Sequence, residues 1–438
     1  MISPQRRQEI IDALRRGTVP RTGLDAFAVN LERFEATLDE ELAQVKAGGS
    51  VFKAVRGEYG SGKTFFARWL EERAKRGSFA VSEVQISEAE TPLHRLETVY
   101  RRLTERLSTR DTPEGALRSV IDGWFFTLEE DVLAEGKIAE GDAEALLARS
   151  AELMEQRLAV ISRTAPALAA ALRGYRQALA DGDRVTADAL IAWLSGEPNV
   201  AAAAKRQAGI KGDIDHFGAL SFLQGLLLIL RDSGHSGLLL VLDEVETLQR
   251  VRSDVRERAL NALRQLIDEV DGGRFPGLYL LITGTPAFFE GPQGVHRLPP
   301  LAQRLHVDFS TEPRFDNPRA VQIRLPGFQR ESLHAVGIKI RDIYVAHSSA
   351  PDRITAKADD AYVATLADAV TGRLGGKVGV TPRIFLKKLV ADVLDRIDQF
   401  DDFDPRKHYA LTVTDAEMTA AERQAAGASS VDDIELDV

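Results

Sequence analysis

The chain has 438 residues, 44% hydrophobic and 28% charged, the composition of a globular protein of two or three domains. A formal net charge of −10 excludes non-specific coating of nucleic acid, though not a local basic patch. The absence of cysteine excludes disulfides, a thiol nucleophile and a zinc ribbon, and the eight histidines show no metal-binding spacing. The first residues are polar and lack the apolar stretch of a secretion signal. The longest apolar runs, such as 189–194 and 238–242, are too short to span a bilayer. A cytoplasmic protein with no membrane contact is expected.

Ser3-Pro4 predicts the start of a helix with Ile10, Ile11 and Leu14 on its apolar face, ended by Arg15-Arg16-Gly17. An extended linker follows over 17–21. A second helix is predicted over 30–46, with Leu31, Phe34, Leu38 and Leu42 at helical spacing. Residues 1–50 thus form a helical lead-in, which either covers an adenine or serves as a plain linker.

Residues 51–55 predict a buried strand, and an amphipathic helix begins at Phe65. Between them stands Gly57-Glu58-Tyr59-Gly60-Ser61-Gly62-Lys63-Thr64, the G-x-x-x-x-G-K-[ST] pattern in its strand–loop–helix setting. Glycines let backbone N–H groups turn in around phosphate oxygens, and the helix N-terminus adds positive potential. Lys63 would reach the β- and γ-phosphates of ATP, and the Thr64 hydroxyl would ligate Mg2+. The expected nucleotide cradle is therefore Gly57 through Phe65, together with Asp243 further along.

A second strand is predicted over 79–86 and a helix over 92–107. Residues 112–211 are rich in Ala and Leu and predict a helical insertion, with Trp124, Phe125, Phe126, Leu128 and Trp193 in its core. Within it, 205–211 is a small basic loop. The insertion offers a partner surface and no catalytic group. Residues 217–230 return to amphipathic helix.

The run Leu238 to Leu242 predicts a strand buried on both faces, so Asp243 and Glu244 emerge at its C-terminal end. Asp243 would hold the Mg2+ shell and Glu244 would polarise the attacking water. Glu246 is expected to be a solvated first-turn glutamate. Another apolar strand over 278–282 ends in Thr283-Gly284-Thr285-Pro286. Its tip should lie beside the γ-phosphate, with Thr285 the first choice as sensor and Thr283 the second. Residues 306–309 predict a last strand. Before it, Arg304, with Arg297 as competitor, is the candidate arginine finger into a neighbouring subunit.

From 317 onward the pattern is helical and predicts a lid over 317–400. Thr381 would cap a lid helix that places Arg383 in its first turn, either over the γ-phosphate or as a surface charge. Residues 401–438 form an acidic tail. The expected fold is α/β: a parallel sheet of the P-loop AAA+ type over 51–316, flanked by helices, with the insertion and a C-terminal helical lid.

Seven stretches carry a resemblance beyond these motifs: RRGTVPRTG at 15–23, RGEYGSGKTFF at 56–66, GEPN and KRQAGIKGDID within 196–215, GLLLVLDEVETL at 237–248, PGLYLLITGTPAFF at 276–289 and GVTPRIFL at 379–386. Through about residue 400 the chain resembles the BREX-system ATP-binding proteins of the BrxD type, in the origin-recognition-like branch of AAA+ ATPases. The resemblance implies a bacterial phage-defence system. It equally allows a related DNA-processing operon, often with a helicase partner; a homo-oligomer is expected, with double-stranded DNA and a helicase or other defence-system protein as candidate partners. No winged-helix pattern follows the lid, so the resemblance does not carry DNA binding by this chain alone. ATP hydrolysis with Mg2+ is the expected activity. The alternative is a slow ATP-dependent switch or scaffold that regulates a partner helicase or nuclease.

Overall fold

The computed structural model describes residues 2–136, 138, 142–373 and 382–410. Among these residues, five strands form one parallel sheet: β1 (Val51–Arg56), β2 (Ala80–Gln85), β3 (Leu238–Asp243), β4 (Leu278–Gly284) and β5 (Gln322–Arg324). Their order is β2-β3-β4-β1-β5. All four pairings are parallel, so every strand delivers its C-terminal end to the same edge. In such sheets that edge is where ligands bind.

The central strands β3 and β4 are apolar on both faces because both are covered. Leu238, Leu240 and Leu242 join one core with Leu280 and Ile282. Leu239 and Val241 alternate into the other with Val55, Tyr279 and Leu281. The second face carries α1 (Pro4–Arg15), α2 (Glu32–Lys46) and α3 (Lys63–Arg76). The first carries α4 (Leu96–Arg106) and a helical stack: α5 (Leu117–Ala134), α6 (Ala143–Thr164), α7 (Pro166–Ala180), α8 (Arg184–Leu194), α9 (Ala202–Gln207) and α10 (His216–Asp232). The inserted helices share one continuous core with α4, α10 and the sheet. Arg157 of α6 ties them further, pairing with Asp131 of α5 and Asp232 of α10. Trp124, Phe125, Leu128 and Trp193 are buried, but Phe126 is 59% exposed. The helical period explains the difference: the buried face of α5 takes 124, 125 and 128, and 126 falls opposite.

Beyond β3 come α11 (Ser253–Asp271), α12 (Pro286–Glu290) and α13 (Pro299–Leu305). Residues 306–309 are not a strand. The fifth strand is Gln322–Arg324, which pairs with β1 through Ala54, Val55 and Arg56. It lies inside the stretch predicted to be helical, and three residues are too few to show a period. The 306–309 segment instead packs a side chain: Phe309 receives the Arg56 and Arg324 guanidiniums at 4.7 and 5.0 Å from its ring centre.

The lid comprises α14 (Arg330–Val345), α15 (Pro351–Lys357), α16 (Asp360–Arg373) and α17 (Pro382–Lys387), the last continuing as a π-helical segment Lys388–Leu394. Thr381 and the tail from 411 lie outside the described residues. α1 starts as predicted, with the Ser3 hydroxyl accepting from the Arg6 N–H at 3.3 Å. It packs on α14, α17 and the π segment, so it rides on the lid. Arg15 grips Asp395 through two hydrogen bonds of 2.6 and 2.8 Å, and the Tyr344 hydroxyl donates to the same carboxylate at 2.7 Å. The linker that follows is held by the core. Arg68 of α3 donates to the Val19 carbonyl at 2.8 Å, and the Glu72 carboxylate accepts the N–H groups of Gly23 and Leu24 at 2.9 Å each.

Candidate functional site

The loop from β1 to α3 turns on glycines. Gly60 and Gly62 have φ of +78° and +92°, where a side chain would be strained. A Cβ at Gly57 would sit 2.2 Å from the Ser61 hydroxyl. The loop closes onto the first turn of α3, whose free N–H groups suit an anion. Ser61 is buried, and its hydroxyl has no partner among the described residues. Lys63 is 8% exposed. Its ammonium donates to the Gly57 carbonyl at 2.8 Å and to the Glu58 carbonyl at 3.3 Å. The Tyr59 ring centre lies 5.3 Å from it.

β4 lies between β1 and β3 and brings three strand ends together. Thr64 donates its hydroxyl proton to Asp243 Oδ2 at 2.9 Å, although 179 positions separate them. Asp243 is buried, and its other oxygen accepts from the Thr283 hydroxyl. Thr283 in turn accepts the Glu244 N–H at 3.2 Å. Glu244 has φ +59° and ψ +44°, the left-handed region that a residue with a side chain occupies at a cost of about 1–2 kcal/mol. Gln85, opposite Asp243 in the β2–β3 register, donates to Glu244 Oε2 at 2.9 Å.

Of the two strand-tip threonines, Thr283 is the one in contact with Asp243. Thr285 is also buried, but it stands at the start of α12 and makes no side-chain cap bond there. Arg383 lines the pocket described below. Arg304 does not: it pairs with Asp268 at 2.8 Å and Asp271 at 2.9 Å on α11. Arg297 is exposed and does not line the pocket either.

Glu246 is not solvated. It is 4% exposed, because residues 245–249 wind into a 3-10 turn whose Val245 and Leu248 pack inward and carry it along. Its Oε1 lies 3.7 Å from the Lys63 ammonium. Burial raises its carboxyl to about 7, with Lys63 pulling it down and Asp243 and Glu244 pushing it up.

A cavity of about 330 Å³ opens over the loop. One end is polar and lined by Tyr59 through Thr64, Glu244 and Glu246; the other is apolar, lined by Val19, Pro20, Phe27, Phe65, Phe328 and Leu386. Phe27 and Phe65 meet edge to face at 5.2 Å between centres. The size and the two chemistries suit a nucleotide, with phosphates at the loop and base at the apolar wall. The adjacent oxygens of Thr64 and Asp243 suit a hard divalent cation. Among the described residues no group of three or more acidic or histidine side chains gathers around an ion site. An ion held here would therefore complete its shell with phosphate and water, as Mg2+ does.

Sequence reasoning missed Gln85 and misjudged Glu246. Gln85 was detectable as the polar residue ending β2 beside the acidic strand. Glu246 was not, because a tight turn and an ordinary helix start look alike in sequence.

A parallel sheet in this order, a phosphate-binding loop after β1, an acidic pair after β3 and a helical lid define a P-loop protein of the AAA+ type. Residues 2–413 match the family model for BREX system ATP-binding protein BrxC/D, and the chain belongs to that family. The family is one of ATP-binding proteins of a phage-defence system. No curated protein matches the sequence. Among the described residues, no helix is long and apolar enough to cross a membrane.

Proposed function

We propose that the chain is a Mg2+-dependent ATPase that assembles on double-stranded DNA or with a defence-system partner. The observation that carries this reading is the 2.9 Å contact between Thr64 and Asp243 at the floor of a nucleotide-sized pocket. Lys63 leaves the loop carbonyls to bind the β- and γ-phosphates. Thr64 and Asp243 hold the metal, which when bound neutralises charge on the phosphates. Glu244 accepts a proton from water as the water oxygen bonds to the γ-phosphorus. The bond from that phosphorus to the β–γ bridging oxygen breaks, and ADP carries the electron pair away. Thr283, in place of Thr285, fixes Asp243 and the Glu244 backbone. Arg383 supplies positive charge from the lid. Arg304, paired with Asp268 and Asp271 at the surface of its own chain, would have to leave them to act in a second copy's site. The basic stretch 205–211 is not all loop, since Lys205, Arg206 and Gln207 end α9; Arg206 and Lys211 are exposed there and so offer a contact for a nucleic-acid backbone.

The test is phosphate release by the purified chain with and without duplex DNA, beside Glu244→Gln. Turnover lost in the variant with ATP binding retained supports hydrolysis as the output. ATP binding with no turnover, even with DNA or a partner present, favours the switch or scaffold.

A further inference from the structure

Glu246 is the one acidic side chain of the pocket with no role in the reaction above. Neither of its carboxylate oxygens finds a hydrogen-bond donor among the described residues, and both are buried. A buried carboxylate is normally paired and bonded. Here the nearest positive charge is the Lys63 ammonium, at 3.7 Å. The groups facing it are Lys63 from α3, Tyr59 from the loop, and Asp243 and Glu244 from the end of β3. Lys63 is the same group that a triphosphate must take.

We propose that Glu246 is a specificity-determining residue: it holds Lys63 in the empty site and competes with the terminal phosphates for that lysine. The proposal rests on the reading of the pocket as an ATP site. A nucleotide entering the loop brings its β- and γ-phosphates up to Lys63, and so towards a carboxylate that no donor shields. The carboxylate therefore opposes binding more strongly as the phosphate chain lengthens. It must either lose the lysine or take up a proton. Burial has already brought its carboxyl to about 7, so a proton is available to it near neutral pH. Removing the charge leaves the shape of the pocket unchanged and removes the competition.

The experiment is calorimetric titration of the full chain with AMP, ADP and the β,γ-imido analogue of ATP, all with Mg2+. Wild type is compared with Glu246→Gln, Glu246→Met and Lys63→Ala, each checked for intact secondary structure. Both Glu246 variants should bind the triphosphate analogue about ten-fold more tightly, gain less for ADP and leave AMP unchanged. Wild type should take up protons on binding the analogue, read from buffers of different ionisation enthalpy, and the variants should not. Unchanged or weaker triphosphate affinity in both Glu246 variants overturns the proposal. It would make Glu246 a support that positions Lys63. If Lys63→Ala binds the analogue as wild type does, the ATP-site reading itself fails, and the proposal with it.

Discussion

At the scale of single residues, the site is a chain of hydrogen bonds across three strand ends: Thr64 to Asp243, Thr283 to Asp243, Glu244 to Thr283, Gln85 to Glu244. Each link has a distinct expected effect. Glu244→Gln should lower turnover at least about 100-fold while ATP binding persists, since proton acceptance is lost and shape is kept. Thr283→Val should lower turnover about 10- to 100-fold with affinity little changed, whereas Thr285→Val should stay within about two-fold. Phosphate-release kinetics on the three variants check both statements, and equal loss in the two threonine variants would remove Thr283 from its proposed role. Glu246 adds a stability prediction. Its folded value, about 7, lies above the ordinary 4.5, so below pH 4.5 the group is neutral in both states and carries no penalty. The penalty grows as pH rises towards about 7 and is constant above, reaching about 3 kcal/mol. Glu246→Gln should therefore melt higher than wild type at pH 8 and alike at pH 4.5, by calorimetry at both values.

At the scale of elements, the joint between α1 and the lid rests on Asp395, a largely buried carboxylate shared by Arg15 and Tyr344. Arg15→Ala removes both of its hydrogen bonds to that carboxylate, leaves it the Tyr344 hydroxyl, and should destabilise the joint by about 2 kcal/mol. Hydrogen exchange should quicken in α1 and in 388–394 while β1, β3 and β4 stay protected. Elements also show what sequence can carry. β3 and β4 were legible because each is a continuous apolar run ending in a polar motif, and β1 because its mostly apolar run, broken by Lys53, leads into the glycine-rich pattern. β5 was not: it is three residues long and owes its place to pairing with β1. Thr64, Asp243 and Glu244 were nameable from local pattern. That Thr283 and not Thr285 touches Asp243 depends on strand register, which places Thr283 beside Val55 and its hydroxyl on Asp243.

At the scale of the whole molecule, the inserted helices share the core of one sheet face, the lid shares the core of the other, and the pocket is lined from the lid side. If the exposed basic stretch carries duplex DNA, the binding constant should fall steeply with salt, and Arg206→Glu with Lys211→Glu should lower the slope by about two. Fluorescence anisotropy across a salt series checks this; an unchanged slope would place the DNA contact elsewhere. The linker held to α3 at Val19 and Gly23 has a mechanical meaning as well. The chain leaves the lid through residues 17–23 and returns to it after β5. The segment before Gly17 packs on the lid helices while the linker behind it is bonded to α3, so this stretch joins the lid to the helix that follows the glycine loop. If the lid shifts when nucleotide binds, α1 should shift with it. With no cysteine in the chain, dyes at Gln5→Cys and Glu257→Cys would read that shift as a change in energy transfer when nucleotide is added.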